Sequence, residues 1–537
     1  MSELNVANFD AYFQALHGHA PYPWQRHLAE RAINADWPGA IDLPTGSGKT
    51  ACIDIAVFAL ACQASLPVEE RIAPRRVFFC VNRRVIVDEA HTRARRIAEV
   101  IRDAEQNGSN GNAVLRDVAA ALRVVAGTTA DDDVPPLDVL ELRGGIYRDN
   151  RWARSITQPT VVCTTLDQLG SRLLFRGYGV SPNAAPIQAA LIAYDSLILL
   201  DEAHISEPFR QTLDHVRRYL DPEKWAEQSI GMRPVTVVPM TATPNEQMRQ
   251  HGVIELENDD RNPKLPLLAR LTASKPADLR DAKNVIKEAI TLAQSFSDDK
   301  PLAVGIIVNR VATAREIHDQ LRALQSEPSD KKRKIPRNAT IELVIGSMRP
   351  IDRDEQAKRL TTLVGTKRPP ITEQPSFIVA TQCLEVGADY DFDVLITECA
   401  SLDALRQRFG RLNRAGRNDA DGNPVNAQAF IIVDSKSVKS EEEINKTEAA
   451  KESAKRDLDP IYGNALARTW NWLNAHATDR VIDFGIDAFQ QLLAKHGDSA
   501  RPSKSLLAPS ASLNAPVMLP GYMDLWCQTA PKPVPDP

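Results

Sequence analysis

Short apolar runs alternate with helix-period segments along the first half of the chain. The runs at 40–43, 77–81, 122–125, 161–163, 197–200 and 235–240 read as strands buried on both faces of a parallel sheet. A turn-rich stretch at 258–264, Asn-Asp-Asp-Arg-Asn-Pro-Lys, interrupts the alternation, which restarts at 304–308, 341–345, 377–380, 394–397 and 430–433. The restart predicts an α/β protein of two lobes, at 1–256 and 257–437, each a doubly wound parallel sheet. Beyond them the pattern changes in kind. The charged run at 440–457 reads as a solvated helix or linker and 462–495 as a small helical appendage, giving a helical accessory region at 438–500. Prolines recur over 501–537, which favours an extended connector or a truncated end.

Composition narrows this picture only slightly. A chain of 537 residues exceeds what one core serves, and 43% hydrophobic with 25% charged residues is ordinary for globular proteins. The formal charge of -5 excludes coating nucleic acid by bulk electrostatics, so any strand must sit in a local groove. The seven cysteines are scattered, with Cys52, Cys80, Cys163 and Cys383 inside apolar runs, which fits a reducing compartment. There is no basic-then-apolar opening segment and no run near 18 apolar residues. The expectation is a soluble, cytoplasmic protein with no membrane contact.

Chemistry enters at 44–50, between a predicted strand and the apolar helix 51–61. There Thr45, Gly46, Ser47 and Gly48 bring backbone N–H groups close to phosphate oxygens, Lys49 reaches the β and γ phosphates of ATP, and Thr50 ligates Mg2+. Leu43 stands where the general pattern has its first glycine. Upstream, Gln25 in Tyr22-Pro23-Trp24-Gln25 would set an amide against adenine; alone it reads as a surface residue, and its position ahead of the loop decides. The string Asp-Glu-Ala-His occurs twice. Asp201-Glu202-Ala203-His204 follows the strand at 197–200, where Asp201 can face Mg2+, Glu202 can polarise the attacking water and His204 can join the site to the neighbouring lobe. Asp88-Glu89-Ala90-His91 lies instead on a helix face marked by Ile86, Ala90, Ala94, Ile97 and Ile101.

Other elements couple this site to a second lobe. The segment 240–244, Met-Thr-Ala-Thr-Pro, carries hydroxyls able to relay the state of the γ phosphate. In 380–389, Thr381 is placed for a nucleic-acid backbone and Gly387 and Asp389 for the nucleotide. The stretch 407–417, Gln-Arg-Phe-Gly-Arg-Leu-Asn-Arg-Ala-Gly-Arg, offers Arg411 and Arg414 as fingers and Gln407 near the γ phosphate. The bland alternative is a basic helix face, in which Gly410 and Gly416 would each cost about 1 kcal/mol relative to Ala. Arg83, Thr165, Gln168 and Asn309 follow predicted strands and suit tracking of a sugar-phosphate chain. Arg93, Arg95 and Arg96 read as a solvated helix face.

This series, in this order over roughly residues 20 to 435, resembles superfamily 2 helicases of the DEAH type, which implies RecA-like lobes. A narrower resemblance rests on Leu142-Arg143-Gly144-Gly145, Asp149, Trp152, the run 164–179, Ile345-Gly346-Ser347-Met348-Arg349-Pro350 and Asp524-Leu525-Trp526-Cys527-Gln528-Thr529. These are similar to the CRISPR-associated helicase-nuclease of type I systems, closest to the type I-G (formerly I-U) form. The resemblance implies an ATP-dependent translocase moving 3'-to-5' on single-stranded DNA, recruited by an RNA-guided, Cascade-like surveillance complex. It also implies an HD nuclease, expected in a missing C-terminal part or in trans, since His318-Asp319 falls in a helical pattern and His17-Gly18-His19 reads as a loop. An RNA helicase or a restriction-type DNA translocase would use the same motor. A non-catalytic scaffold that binds ATP fits poorly with intact Lys49, Asp201, Glu202, Gln407, Arg411 and Arg414.

Overall fold

Apolar runs this continuous bury both faces of a strand, and the computed structural model bears that out. It describes residues 4–507 except 83, 145–148, 204–205, 221–232, 241–245, 297–301, 329–333, 347–348, 367, 369–373, 386–388, 419–423, 426, 441, 446–458, 460 and 496–503. Two compact units divide at Asn262 and Pro263.

The first lobe contains β1 (Ala40–Ile41), β2 (Arg76–Val81), β3 (Asp138–Leu142), β4 (Thr160–Thr165), β5 (Ser196–Leu200), β6 (Thr236–Pro239) and β7 (Val253–Ile254). The five strands β3-β4-β2-β5-β6 form one parallel sheet, β1 pairs with β7 in parallel, and a parallel bridge from Ile41 to Met240 joins the two sets. Every residue of β2, β4 and β5 is buried, as central strands covered by helices on both sides require. Because all these strands run the same way, their C-terminal ends gather on one edge, where open α/β sheets bind ligands.

The second lobe contains β8 (Pro276–Ala282), β9 (Ala303–Ile307), β10 (Thr340–Val344), β11 (Ser376–Ala380), β12 (Val394–Glu398), β13 (Gln428–Asp434) and β14 (Val481–Asp483). Its order is β10-β11-β9-β12-β13-β8-β14, parallel throughout except that β14 runs antiparallel to β8. One core, with Ile306, Phe377, Val379 and Ile396, covers one set of strand side chains. The other holds Ile378, Phe392, Leu405 and Phe409 together with Tyr462, Trp470, Leu473, Phe484 and Phe489. The helices Ala465–His476 and Ile486–Lys495 therefore share this core, and β14 between them extends the sheet.

One strand expectation fails. Residues 122–125 end the helix Ala113–Ala126, capped at the start by Asn112, whose side chain accepts from Leu115 N–H, and at the end by Gly127 in the left-handed region. Leu122 and Val125 are buried while Val124 is 52% exposed, which is helical and not strand spacing.

Candidate active site

In the first lobe the chain leaves β1 through Leu43, which is buried, and turns at Gly46 (φ +86°) and Gly48 (φ +85°). A Cβ on Gly48 would stand 3.1 Å from Gln25 Nε2, so both conformation and space favour glycine there. Ser47 Oγ donates to the Pro44 carbonyl (2.8 Å), and the Trp24 indole N–H donates to the Ser47 carbonyl (3.2 Å). Gln25 is buried against this loop; its Oε1 accepts from Tyr22 N–H (2.8 Å) and its Nε2 lies 3.5 Å from the Gly48 carbonyl. Lys49 Nζ donates to the Leu43 carbonyl (3.3 Å), and Lys49–Ala51 turns into the buried helix Cys52–Cys62.

The acidic pair sits at the end of β5. Asp201 N–H donates to the Cys80 carbonyl (2.9 Å), Glu202 N–H to Asp201 Oδ1 (3.0 Å) and Ala203 N–H to the Met240 carbonyl (3.1 Å), so the ends of the neighbouring strands β2 and β6 hold it. Glu202 adopts φ +50°, a conformation that costs a non-glycine residue on the order of 1 kcal/mol and concentrates at functional sites. Burial pushes the Asp201 carboxyl up to about 6, with Lys49 pulling it down and Glu202 adding to the rise. Burial opposes the charge on Lys49, but Glu202, Asp201 and Asp42 outweigh it and hold its pKa above the usual lysine value. The Thr50 hydroxyl and Asp201 carboxylate are hard oxygen donors suited to Mg2+. Among the described residues no group of three or more His, Cys, Asp or Glu could hold a metal alone. A Mg2+ ion here would complete its shell from phosphate and water, as it commonly does.

The first DEAH string lies within the helix Arg84–Gln106, with Val87, Ala90, Ala94, Ile97 and Ile101 buried. Asp88 pairs with Arg143 (2.7 Å) and His91 faces Glu141 (3.7 Å), both beside β3. Arg93, expected on a solvated face, turns inward. Its Nε donates to Asp54 (2.8 Å), a fully buried carboxylate that His17 Nε2 also meets at 2.6 Å. A buried charge requires such partners, and nothing in the helix periodicity reveals it.

In the second lobe the helix Leu402–Phe409 stops before the glycines, so their helical cost does not arise. Gly416 instead has φ +62°, and a Cβ there would stand 2.3 Å from the Ala269 carbonyl. Gln407 is half-buried on the helix. Arg408 is wholly buried, and Arg411 is 4% exposed with Nε and Nη2 donating to the carbonyls of Leu384 (3.2 Å) and Glu385 (3.0 Å). Arg414 pairs with Asp389 (3.0 Å), and its N–H donates to Asp391 Oδ1 (2.7 Å). Arg417 pairs with Asp391 (2.9 Å) and Asp393 (2.6 Å), so alternate residues of one segment brace the arginine loop. Beneath it, buried Lys275 donates from Nζ to the Phe409 carbonyl (2.9 Å).

The strand-binding candidates are less open than their positions suggest. Thr165 and Thr381 are 4% exposed, and Gln168 Oε1 accepts from Arg172 (2.6 Å). Asn309 is buried, its Nδ2 donating to the Cys399 carbonyl and its Oδ1 accepting from Arg408, both at 2.8 Å. Arg83, His204, Gly387 and the segment 241–244 lie outside the described residues.

Two family descriptions match this chain: "CRISPR-associated nuclease/helicase Cas3, C-terminal" over residues 300–417, and "Type III restriction enzyme, res subunit" over residues 18–246. The CRISPR-associated helicase Cas3 of Thermoproteus tenax is 26% identical over 367 residues, covering 65% of this chain and 56% of that protein. The CRISPR-associated endonuclease/helicase Cas3 of Thermus thermophilus is 28% identical over 160 residues, 28% of this chain and 17% of that protein. The crystal structure of T. fusca Cas3-AMPPNP superposes with a TM-score of 0.55 at 17% identity, covering 92% of this chain and 54% of that one. The chain thus spans little more than half the length of the Thermoproteus tenax and T. fusca proteins. Motif order, both family matches and the tandem RecA-like fold agree in making this chain similar to superfamily 2 helicases of the DEAH type and to the CRISPR-associated Cas3 proteins.

Proposed function

We propose that this core is a nucleic-acid-dependent ATPase that moves 3'-to-5' on single-stranded DNA in type I CRISPR interference. The observation that carries the ATPase reading is the gathering of Lys49, Thr50, Asp201 and a strained Glu202 at one edge of one sheet. Lys49 would hold the β and γ phosphates, and Thr50 with Asp201 would hold Mg2+. Bound there, the ion would neutralise charge on the phosphates. Glu202 orients and polarises the attacking water. Arg411 and Arg414 stabilise the charge spread over the transferring phosphoryl group, while Gln407, Gly387 and Asp389 complete the nucleotide side of the second lobe. Hydrolysis is in this way tied to lobe closure, and closure to a step along DNA through the ends of β2, β4, β9 and β11.

Cas3 relatives support the CRISPR setting, and with it recruitment by a Cascade-like complex and cutting by an HD nuclease outside these residues. The match to a type III restriction subunit favours a second reading, a restriction-type DNA translocase with the same motor. ATP turnover measured with single-stranded DNA, duplex DNA and RNA separates these. Stimulation by single-stranded DNA is expected; stimulation by duplex alone favours the restriction reading, by RNA alone an RNA helicase, and no turnover at all a scaffold. Glu202→Gln should abolish turnover while Glu89→Gln keeps it, and the reverse pattern would refute the assignment. Mn2+- or Ni2+-stimulated DNA cutting by the pure chain would contradict the placement of the nuclease elsewhere.

A further inference from the structure

A guanidinium with no exposed surface must find every partner inside the fold. Arg408 does so by donating from Nε to Glu385 Oε1 (2.9 Å), from Nη1 to the Thr397 hydroxyl and the Glu398 carbonyl (both 2.8 Å), and from Nη2 to Asn309 Oδ1 (2.8 Å) and the Tyr462 hydroxyl oxygen (3.1 Å). The Tyr462 hydroxyl in turn faces Glu385 Oε1 at 3.4 Å. Burial pushes this phenol up to about 12, Arg408 opposing, so it keeps its proton at neutral pH. The loop that carries Glu385 also receives Arg411, whose guanidinium donates to the Leu384 and Glu385 carbonyls. Glu385 is thus gripped twice, by its side chain from Arg408 and Tyr462 and by its main chain from Arg411.

Tyr462 belongs to neither the arginine stretch nor this loop. It arrives from the segment beyond β13, where Asp459 Oδ1 accepts from the N–H groups of Ile461 (2.9 Å) and Tyr462 (2.7 Å) and fixes the turn that delivers the ring. We propose that Tyr462 is a positioning residue for Arg411, acting through Arg408 and Glu385, so that the segment after β13 sets the geometry of the arginine loop. This rests on the reading of Arg411 as a finger. Small misplacements of such a group are costly in rate without weakening substrate binding.

The test is Tyr462→Phe, which keeps the ring and removes only the hydroxyl, in the full chain with single-stranded DNA. The expected result is a fall in kcat for ATP of about tenfold with KM within about twofold. In an Arg411→Lys background the same change should have little further effect. Equal losses in both backgrounds, or a lowered melting temperature with unchanged kcat, would overturn the proposal. If Tyr462→Phe fails to fold, Glu385→Gln is held to the same pattern. Should Arg411→Lys itself leave kcat unchanged, the finger reading falls; should Arg411→Lys collapse kcat while Tyr462→Phe is silent, only the positioning role falls.

Discussion

Single residues carry the sharpest consequences. Gly416 combines a left-handed backbone with a carbonyl 2.3 Å from where a Cβ would sit. Gly416→Ala should lower stability by about 1–3 kcal/mol, read from the midpoint of chemical unfolding, because main chain on the neighbouring helix must move. An unchanged midpoint would mean that the loop adapts freely. Lys275 gives a pH prediction. Burial lowers its pKa to about 8 from an ordinary 10.5, Asp391 and Asp483 opposing and Arg414 reinforcing. The unfolded chain therefore holds the extra proton between those two values, so stability at this site rises with pH through that window. Relative to Lys275→Met, the wild type should gain about 2 kcal/mol between about pH 7.5 and about pH 9.5; a flat difference would place the charge elsewhere. The residues proposed to meet the nucleotide stood out in the sequence, since glycine, lysine and carboxylate at fixed spacing suggest a chemistry. The buried polar set of Asp54, Arg408, Tyr462 and Lys275 did not, because a polar side chain looks solvated until its partner, dozens of residues away, is known.

At the scale of elements, strands with a continuous apolar run were readable, whereas β3 and β8 were not. Strand β3 has polar Asp138 and Glu141, and β8 carries Asp278, Arg280 and Asp281, so neither presents a continuous apolar run. Residues 122–125 failed for the opposite reason: a helix buried on one side can end in a short β-branched cluster that periodicity alone cannot distinguish from a strand. The stretch 462–495 read as helical by pattern, yet its short β14 closes the sheet and its Phe484 ring stacks on Phe409 at 4.0 Å. A chain ended at residue 437 should therefore lose solubility and cooperative unfolding, since Phe409 and Leu405 would lose the cover of Tyr462, Trp470, Phe484 and Phe489. A soluble truncated chain that melts like the parent would refute this.

For the whole molecule, the interruption of the strand pattern at 258–264 pointed to two lobes, and the chain divides into two compact units at Asn262 and Pro263. No linear pattern contains the motion we propose, which would bring one lobe's arginines to the other lobe's phosphates. That motion is the central claim, and single-turnover ATP hydrolysis on single-stranded DNA by Arg411→Ala and Arg414→Ala, set beside their nucleotide affinity, tests it most directly. The account predicts a hydrolysis rate lowered by roughly 10³–10⁵ with binding nearly intact. Hydrolysis at the parent rate in both variants would contradict it.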